Sequence, residues 1–484
     1  MQTNILYMKK VTFIIAFVFL ATNLQAQDHK WTLRACVDYA LENNISVKQS
    51  ELDLKTSEFN RKDAIGNFLP SLNASANHSW NIGLNQNIVT GIYENLTTQY
   101  SSFGANASLD IYRGLRNLNQ LHRSKLEVLA SQYKLDDMKD NISLMVANSF
   151  LQILFNKEQY KVLLAQYEIS KEELNRTQEL VNAGSLPKGD LLEIQATLAS
   201  QEQQLVDAQN AILISKIQLA QMLLIKDYKN FDIVDTEYNI PETFILSESP
   251  EGIVSKAKET RYDIKIAENN EKMAEYDLKV ARGALQPTLS ASLGYSTRAS
   301  YSDRIIDTEL DVDNPTRQIG VVESTGEAVV TENRRPIISG PDALFNQLSL
   351  NDGYNFGISL SIPIFNGFAL RNNVKRSKVN VERSKYQLEQ AHLDLETNVY
   401  QAYNDAKGAL KAYEAAQKTL AAREEAFNYS KERYNVGLLN AFDYNQSKSR
   451  FEQAESDVIR TKYDYIFKLK VLEFYFGIPI TDIN

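Results

Sequence analysis

The stretch Tyr434-Asn-Val-Gly-Leu-Leu-Asn-Ala-Phe-Asp443 stands between two long runs that contain no proline. A glycine one residue past a helix, then a polar residue opening the next, is the pattern of a tight helical hairpin. The chain carries the pattern a second time, as Val181-Asn-Ala-Gly-Ser-Leu-Pro-Lys-Gly-Asp190. The likeness extends far beyond the turns. Gly104 to Ile225 aligns with Gly357 to Ile478 at a constant offset of 253, without a gap. An earlier match, Ala64, Gly66 and Pro70 on Ala281, Gly283 and Pro287, has an offset of 217. The difference of 36 places an insertion between Pro287 and Gly357. One structural unit is used twice.

Working outward from the turns, Leu115 to Val181 predicts one helix about 100 Å long at 1.5 Å per residue. After the turn, Leu191, Ile194, Leu198, Gln201, Leu205, Ala208, Ile212, Ser215, Leu219 and Met222 step by three and four. The second half keeps that register with Tyr444, Ser447, Phe451, Ala454, Val458, Thr461, Tyr465, Lys468, Leu472 and Tyr475. This is coiled-coil spacing. The seam is rich in Ala, Ser, Thr, Gln and Tyr, which suits a helical wall wetted on one side. Gly184 and Gly437 suit left-handed helix caps. Asp190 with Glu193, and Asp443 with Gln446, have capping-box spacing. Shorter helices are expected over Thr32–Asn43 and Val47–Gly66, the latter with a counterpart at Ile264–Gly283.

Between these helices lie segments of period two. Leu72, Ala74, Ala76, His78, Trp80 and Ile82 alternate with Ser and Asn, and Phe103, Ala105, Ala107, Leu109 and Ile111 alternate with a polar set that includes Ser102, Asn106, Ser108 and Asp110. The second half repeats this with Leu289, Ala291, Leu293 and Tyr295, then Phe356, Ile358, Leu360, Ile362 and Ile364. Strands of about ten residues with this alternation fit a transmembrane β-barrel. Alternation alone equally describes a soluble sheet with one wet face. The polar face here is small and uncharged along most of its length, and Trp80, Tyr112, Tyr295, Tyr354 and Phe365 sit toward strand ends as a membrane girdle would. Four strands cannot close a barrel, and open edges are not tolerated in lipid. Strands that span a membrane therefore require several chains to share one barrel.

The N-terminus agrees with a site outside the cytoplasm. Lys9 and Lys10 precede the apolar run Val11–Ala21, and Leu24-Gln25-Ala26 resembles a cleavage site, so residues 1–26 read as a signal peptide. The domain reading is then a first repeat over 27–225, a linker over 226–252, a second repeat over 253–478 and a tail over 479–484. The insertion lies within 296–352, a charged segment expected as a solvated extracellular loop. The net charge of −9 and a pI near 5.3, with no basic stripe, argue against nucleic acid. Cys36 is the single cysteine, expected as a small packed residue. The four histidines are scattered without metal-ligand spacing, and no phosphate loop or nucleophile elbow is present. No enzyme, cofactor or metal site is expected.

Arg433-Tyr-Asn-Val-Gly-Leu through Asp443, the helix running on to Phe476-Gly-Ile-Pro, and the junctions Gly66-Asn-Phe-Leu-Pro-Ser-Leu and Ser361-Ile-Pro-Ile-Phe-Asn-Gly resemble the TolC-like outer-membrane efflux family. The resemblance covers nearly all of the mature chain. It implies a mainly α fold with a membrane β part: a trimeric α-helical periplasmic barrel joined to a shared 12-stranded outer-membrane β-barrel, four strands per chain. It implies a passive channel of a tripartite system, with a periplasmic adaptor and an inner-membrane transporter, RND-type rather than ABC, as partners alongside outer-membrane lipid. Protein export by type I secretion is the alternative within the class, and a periplasmic scaffold or adaptor the one outside it. In the family a tip aspartate and a tyrosine help hold the periplasmic entrance shut. Asp190 and Tyr434 match, and Asp443 adds a carboxylate there. Leu439 stands where the family has an arginine, and Gln446 where it has a second acid. The tips Gly184, Ser185, Leu186, Val436, Gly437 and Leu438 would dock the adaptor.

Overall fold

The computed structural model describes residues 30–87, 89–235 and 244–478. The signal peptide expected over 1–26, part of the linker and the tail over 479–484 lie outside them. In chain order the elements are α1 (Leu33–Asn43), α2 (Ile45–Gly66), β1 (Ser71–Gln86), β2 (Tyr93–Arg113), α3 (Arg116–Asn182), α4 (Lys188–Met222), α5 (Pro250–Thr260), α6 (Tyr262–Gly283), β3 (Thr288–Ser300), β4 (Arg304–Leu310), β5 (Thr316–Val321), β6 (Ala328–Glu332), β7 (Arg334–Ser339), α7 (Leu344–Leu350), β8 (Gly353–Ser361), α8 (Ala369–Asn435) and α9 (Ala441–Phe476).

The repeat holds residue for residue. Helices α1 and α2 become α5 and α6 on adding 217, and the 67-residue α3 becomes the 67-residue α8 on adding 253. The strand-to-helix junctions repeat too. Gly114 and Leu115 are both left-handed (φ 62° and 58°), as are Gly367 and Phe368 (φ 60° and 66°). By packing, the chain divides into two units: Met1–Glu58 with Leu126–Met273 and Glu382–Asn484, and Phe59–Lys125 with Ala274–Val381.

The first unit is helical and holds two cores. One gathers Cys36, Val37, Ala40 and Val47 with Val146, Phe150, Leu219 and Leu223. The other gathers Ile253, Val254, Ala257 and Ile264 with Leu395, Val399, Leu469 and Leu472. The first four of each set are the same positions, 217 apart, so Cys36 fills the place of Ile253. It is fully buried, and burial pushes its thiol up to about 12. The seam residues foreseen on α4 and α9 are all buried or half-buried. The linker packs as a connector: Phe231 and Ile233 enter the first core, Ile233 bridges Trp31, and Ile245 enters the second. Its far end is already helical, since α5 begins at Pro250, capped by Ser249.

The second unit holds a four-stranded antiparallel sheet in the order β1-β2-β3-β8. The strands run in the expected places, with one correction. β8 ends at Ser361, so Ile362 and Ile364 lie outside it. The equivalent end of β2, Leu109 to Arg113, is held as strand by pairing with β3, whereas among the described residues β8 has no neighbour on its outer side. The insertion is also more ordered than a solvated loop. β4 pairs with β7 and β5 with β6 as nested hairpins, and α7 follows them. Their backbone polar groups are satisfied within the insertion, which lets so polar a segment form strands. Among the described residues no helix is long and apolar enough to cross a membrane.

Candidate functional site

The helical hairpin tips were singled out by sequence, and both are built alike. At the first, Ser185 N–H donates to Leu180 C=O at 2.8 Å and Gly184 N–H to Val181 C=O at 3.0 Å. At the second, Leu438 N–H donates to Arg433 C=O at 2.8 Å and Gly437 N–H to Tyr434 C=O at 3.0 Å. These are Schellman caps, and they demand left-handed backbone at Gly184 (φ 76°) and Gly437 (φ 78°).

The aspartates do not act as N-caps, which corrects the capping-box expectation. Helix α4 begins after Pro187, which gives no side-chain cap, and Asp190 is the third residue of its first turn. Helix α9 is capped by Asn440, whose Oδ1 accepts from Asp443 N–H at 2.8 Å and whose Nδ2 donates to Asp443 Oδ2 at 2.9 Å. Both carboxylates thus sit in a helix's first turn, where the macrodipole favours negative charge. Glu193 and Gln446 have no part in either cap.

The structure brings Asp190 and Tyr434 together. Burial first, and then the Asp190 carboxylate, hold the Tyr434 hydroxyl above its usual range. The ring of Tyr434 stacks on Tyr444 at 4.6 Å and 10°, and Arg176 Nη1 donates to Asn435 Oδ1 at 3.2 Å across the hairpins. Asp443 is exposed and, among the described residues, bonds its own cap, Asn440. Val436, Leu438 and Phe442 point out at 69%, 69% and 67% exposure, while Leu186 and Leu439 are half-buried. Ser185 and both tip glycines are exposed.

Behind this tip lies a polar cluster that sequence reading missed. Lys448 is buried and donates to Glu173 Oε2 at 2.7 Å and Ser170 Oγ at 2.9 Å. Gln201 Nε2 reaches the Glu452 carboxylate at 3.3 Å, and Gln166 Nε2 reaches Glu455 Oε2 at 2.9 Å. Glu452 is pushed up to about 7 by burial, against the opposing pull of Lys448 and with help from Glu455. Phe427 and Phe451, with Gln166, Lys448, Glu452 and Glu455, line a cavity of about 100 Å³. A charged pair one step from the α9 seam, where the first half has the neutral Gln195, is the signal that marked it.

Of the residues expected to form a girdle, Tyr295 and Tyr354 are directly paired across β3 and β8, with ring centroids 5.2 Å apart. Trp80 packs edge-on to His78 and is 60% exposed. Tyr112 bonds Gln286 at the helix-side end of the sheet, and Phe365 lies just past β8. Among the described residues no His, Cys, Asp and Glu are gathered as metal ligands.

The model of one family, described as outer membrane efflux protein, matches residues 36–223 and 253–477. The chain belongs to that family. The two matched segments are the two halves of the repeat, and the family locates the protein in the outer membrane. Among curated relatives, the cation efflux system protein CusC of Escherichia coli is 23% identical over 284 residues, 55% of this chain and 56% of CusC. The pyoverdine export outer membrane protein OpmQ of Pseudomonas aeruginosa is 26% identical over 319 residues, 65% of this chain and 57% of OpmQ. These matches span a little over half the length of the curated relatives. The fold agrees over more. The outer membrane channel CmeC of Campylobacter jejuni superposes with a TM-score of 0.74 at 19% identity, covering 92% of this chain and 86% of CmeC. These relatives are channel and efflux proteins.

Proposed function

We propose that this outer membrane efflux protein is a passive exit channel of a tripartite system. It carries small toxic compounds or drugs handed on by an inner-membrane pump through a periplasmic adaptor. Three copies share one 12-stranded barrel. The observation that carries this reading is a four-stranded sheet with both edges unpaired among the described residues, in a family of the outer membrane. Such a sheet is not viable in lipid until further copies close it. The tips are the entrance. Asp190, Tyr434 and Asp443 hold it, and exposed Val436, Leu438 and Phe442 offer the adaptor an apolar foothold. Trp80, Tyr112, Tyr295, Tyr354 and Phe365 form the girdle at the lipid interface.

Relatives named for cation efflux and for pyoverdine export share this family, so one duct design serves unlike small cargoes. Selection then belongs to the pump, for which an RND-type transporter is the proposed partner. Deleting the gene should sensitise cells to a broad panel of toxic compounds. Unchanged resistance together with the loss of one exported protein would replace this reading with type I secretion.

A further inference from the structure

The second half departs from the first near the outer end of the sheet. The β1–β2 ladder runs on past Ser79↔Tyr100, from Trp80↔Gln99 to Gln86↔Tyr93. At offset 253 the residues matching Tyr93 to Gln99 are 346–352, so they should form the upper part of β8. β8 instead begins at Gly353, and the chain before it is helix α7. We propose that α7 is a lipid anchor. It lies on the outer wall of the barrel and sinks Phe345 and Leu350 into the acyl chains of the outer leaflet. This rests on the membrane reading of the sheet given above and goes further, by assigning a lipid contact to an element that the first half lacks.

The helix is laid against the top of β3. The Thr297 hydroxyl donates to Leu348 C=O at 2.7 Å. Gln347 lies along the strand edge: its Oε1 accepts from Ser300 N–H and its Nε2 donates to Ser300 C=O, both at 2.9 Å. Asn351 Nδ2 donates to Arg298 C=O at 2.9 Å. Leu293, Tyr295, Thr297 and Ala299 alternate along β3 and share its apolar face. Thr297 and Ala299 are buried at the level of α7, while Leu293 further down is exposed. The helix is therefore on the side of the sheet that carries Leu72, Ile82, Tyr354, Phe356 and Ile358, all of them exposed. In an outer-membrane barrel with a polar interior, that side faces lipid.

Three features fit lipid rather than water around α7. Among the described residues, β3 above Ser296 has no β8 beside it. Water would satisfy such an edge unaided. Here the side chains of Gln347 and Asn351 take its backbone groups, as hydrocarbon requires. The second feature is charge. Ala343 to Asn351 holds no charged residue. Leu344, Gln347, Leu348 and Asn351 have the spacing of the sheet-facing side, and Phe345 and Leu350 point away at 82% and 73% exposure. The third is level. Ser300 pairs with Tyr100, and Tyr100 with Ser79, so Gln347 stands beside the rung of Trp80. An amphipathic helix at an interface buries its apolar face about 5–10 Å into the boundary of headgroups and acyl chains.

The sequence explains why this stretch is helix and its counterpart strand. Ala343 to Asn351 contains no β-branched residue, whereas the matching residues 90–98 include Thr90, Ile92, Thr97 and Thr98. The helix is also tied to the insertion. Asp342, just before it, accepts from Arg304 Nη2 at 2.6 Å at the start of β4, and Gln347 Nε2 donates to Asp342 C=O at 2.8 Å. The anchor thus sets where the inserted hairpins leave the membrane.

Fluorescence of the full-length protein, extracted from the outer membrane and reconstituted in phosphatidylcholine vesicles, tests the anchor. Trp31→Phe/Trp80→Phe removes both native tryptophans. On that background Phe345→Trp and Leu350→Trp report on α7, Phe356→Trp on the sheet, and Ser324→Trp on the turn between β5 and β6. Brominated acyl chains should quench both α7 reporters severalfold more than Ser324→Trp, and more strongly with bromine near the headgroup than near the chain end. Aqueous iodide should quench Ser324→Trp and spare the α7 reporters. Iodide quenching of both α7 reporters, without quenching by brominated chains, would put the helix in water and overturn the anchor. Shielding from both quenchers would mean that protein covers it, a neighbouring copy included, and would overturn it too. In either case, quenching of Phe356→Trp by brominated chains leaves the membrane reading of the sheet standing. Quenching of Phe356→Trp by iodide alone overturns that reading as well.

Discussion

Tyr434 and Tyr444 lie face to face, 4.6 Å between ring centroids and 10° between planes, with Tyr444 buried and Tyr434 at the edge of the Asp190 field. Stacked aromatic pairs contribute about 0.5–1.5 kcal/mol beyond their buried area. Removing the outer ring should loosen the tip without unfolding the hairpin. Tyr434→Ala should raise single-channel conductance in planar bilayers severalfold, and Tyr434→Phe should stay close to the parent. Equal conductance in all three would exclude Tyr434 from the entrance.

Asp443 is exposed, and in an assembly of copies its carboxylate recurs about the axis. Carboxylates so gathered bind cations. Asp443→Ala should weaken block of the channel by a trivalent cation, raising the half-blocking concentration severalfold. Because Asn440 keeps its bond to the residue 443 N–H, the helix start should lose no more than about 1 kcal/mol. An unchanged block curve removes the carboxylate ring.

The Lys448–Glu173 pair has side chains only 6% and 16% exposed. Breaking one partner of a buried pair costs about 3–5 kcal/mol, because the other is left buried and charged. Glu173→Ala should therefore lower the thermal midpoint of the helical region markedly. Glu173→Leu/Lys448→Met should recover most of the loss. A double variant no better than the single would show that the pair stabilises by more than mutual neutralisation.

Glu452 predicts a pH dependence with a definite sign. Its carboxyl is raised to about 7 in the fold, above its ordinary value of 4.5, chiefly by burial. The folded state therefore holds this proton more tightly than the unfolded chain. This group's contribution to stability is greatest below about 4.5 and is lost as pH rises through about 7. Glu452→Gln should flatten the thermal midpoint between those pH values, and a parallel slope in the variant would assign the effect to another group.

Leu224 occupies the repeat position of Gly477. It carries the same left-handed cap, with φ 58° against 87°. Its N–H donates to Gln221 C=O, and Ile225 N–H closes on Ala220 C=O at 2.8 Å. An L-residue there costs about 1–2 kcal/mol, and the side chain is 44% exposed. Leu224→Gly should stabilise by about 1 kcal/mol, read as a higher unfolding midpoint. A lower midpoint would mean that the leucine's packing outweighs its strain.

The helices were legible because their period, their length and their closing glycines are all local, and α3 and α8 end within a residue or two of where Gly184 and Gly437 place them. The caps were misread because Asp190 and Asp443 satisfy a spacing rule. The backbone before each helix decides which residue lies outside it, and there Pro187 and Asn440 stand. The end of β8 was unreadable for a different reason. Ile362 and Ile364 alternate as strand residues should, but a strand exists only where another runs beside it. Lys448 was missed because its partners Ser170 and Glu173 come from the other hairpin, far away in sequence. The charged step beside the α9 seam marks Lys448, but no local pattern names the partners it meets.

The two 67-residue helices, one in each half, constrain how this gene can change. Inserting one residue into α3 would turn everything beyond it by about 100° and advance it by about 1.5 Å. Every downstream buried position would then face the wrong way against the unaltered α1, α4 and α9. Point substitutions can accumulate along these helices, but a change of length in one is viable only with the same change in the other. The nested hairpins between Ser300 and Gly353 carry no such lock, having no counterpart of their own in the first half. Length variation in descendants of this chain should therefore collect there, leaving the helices a fixed ruler.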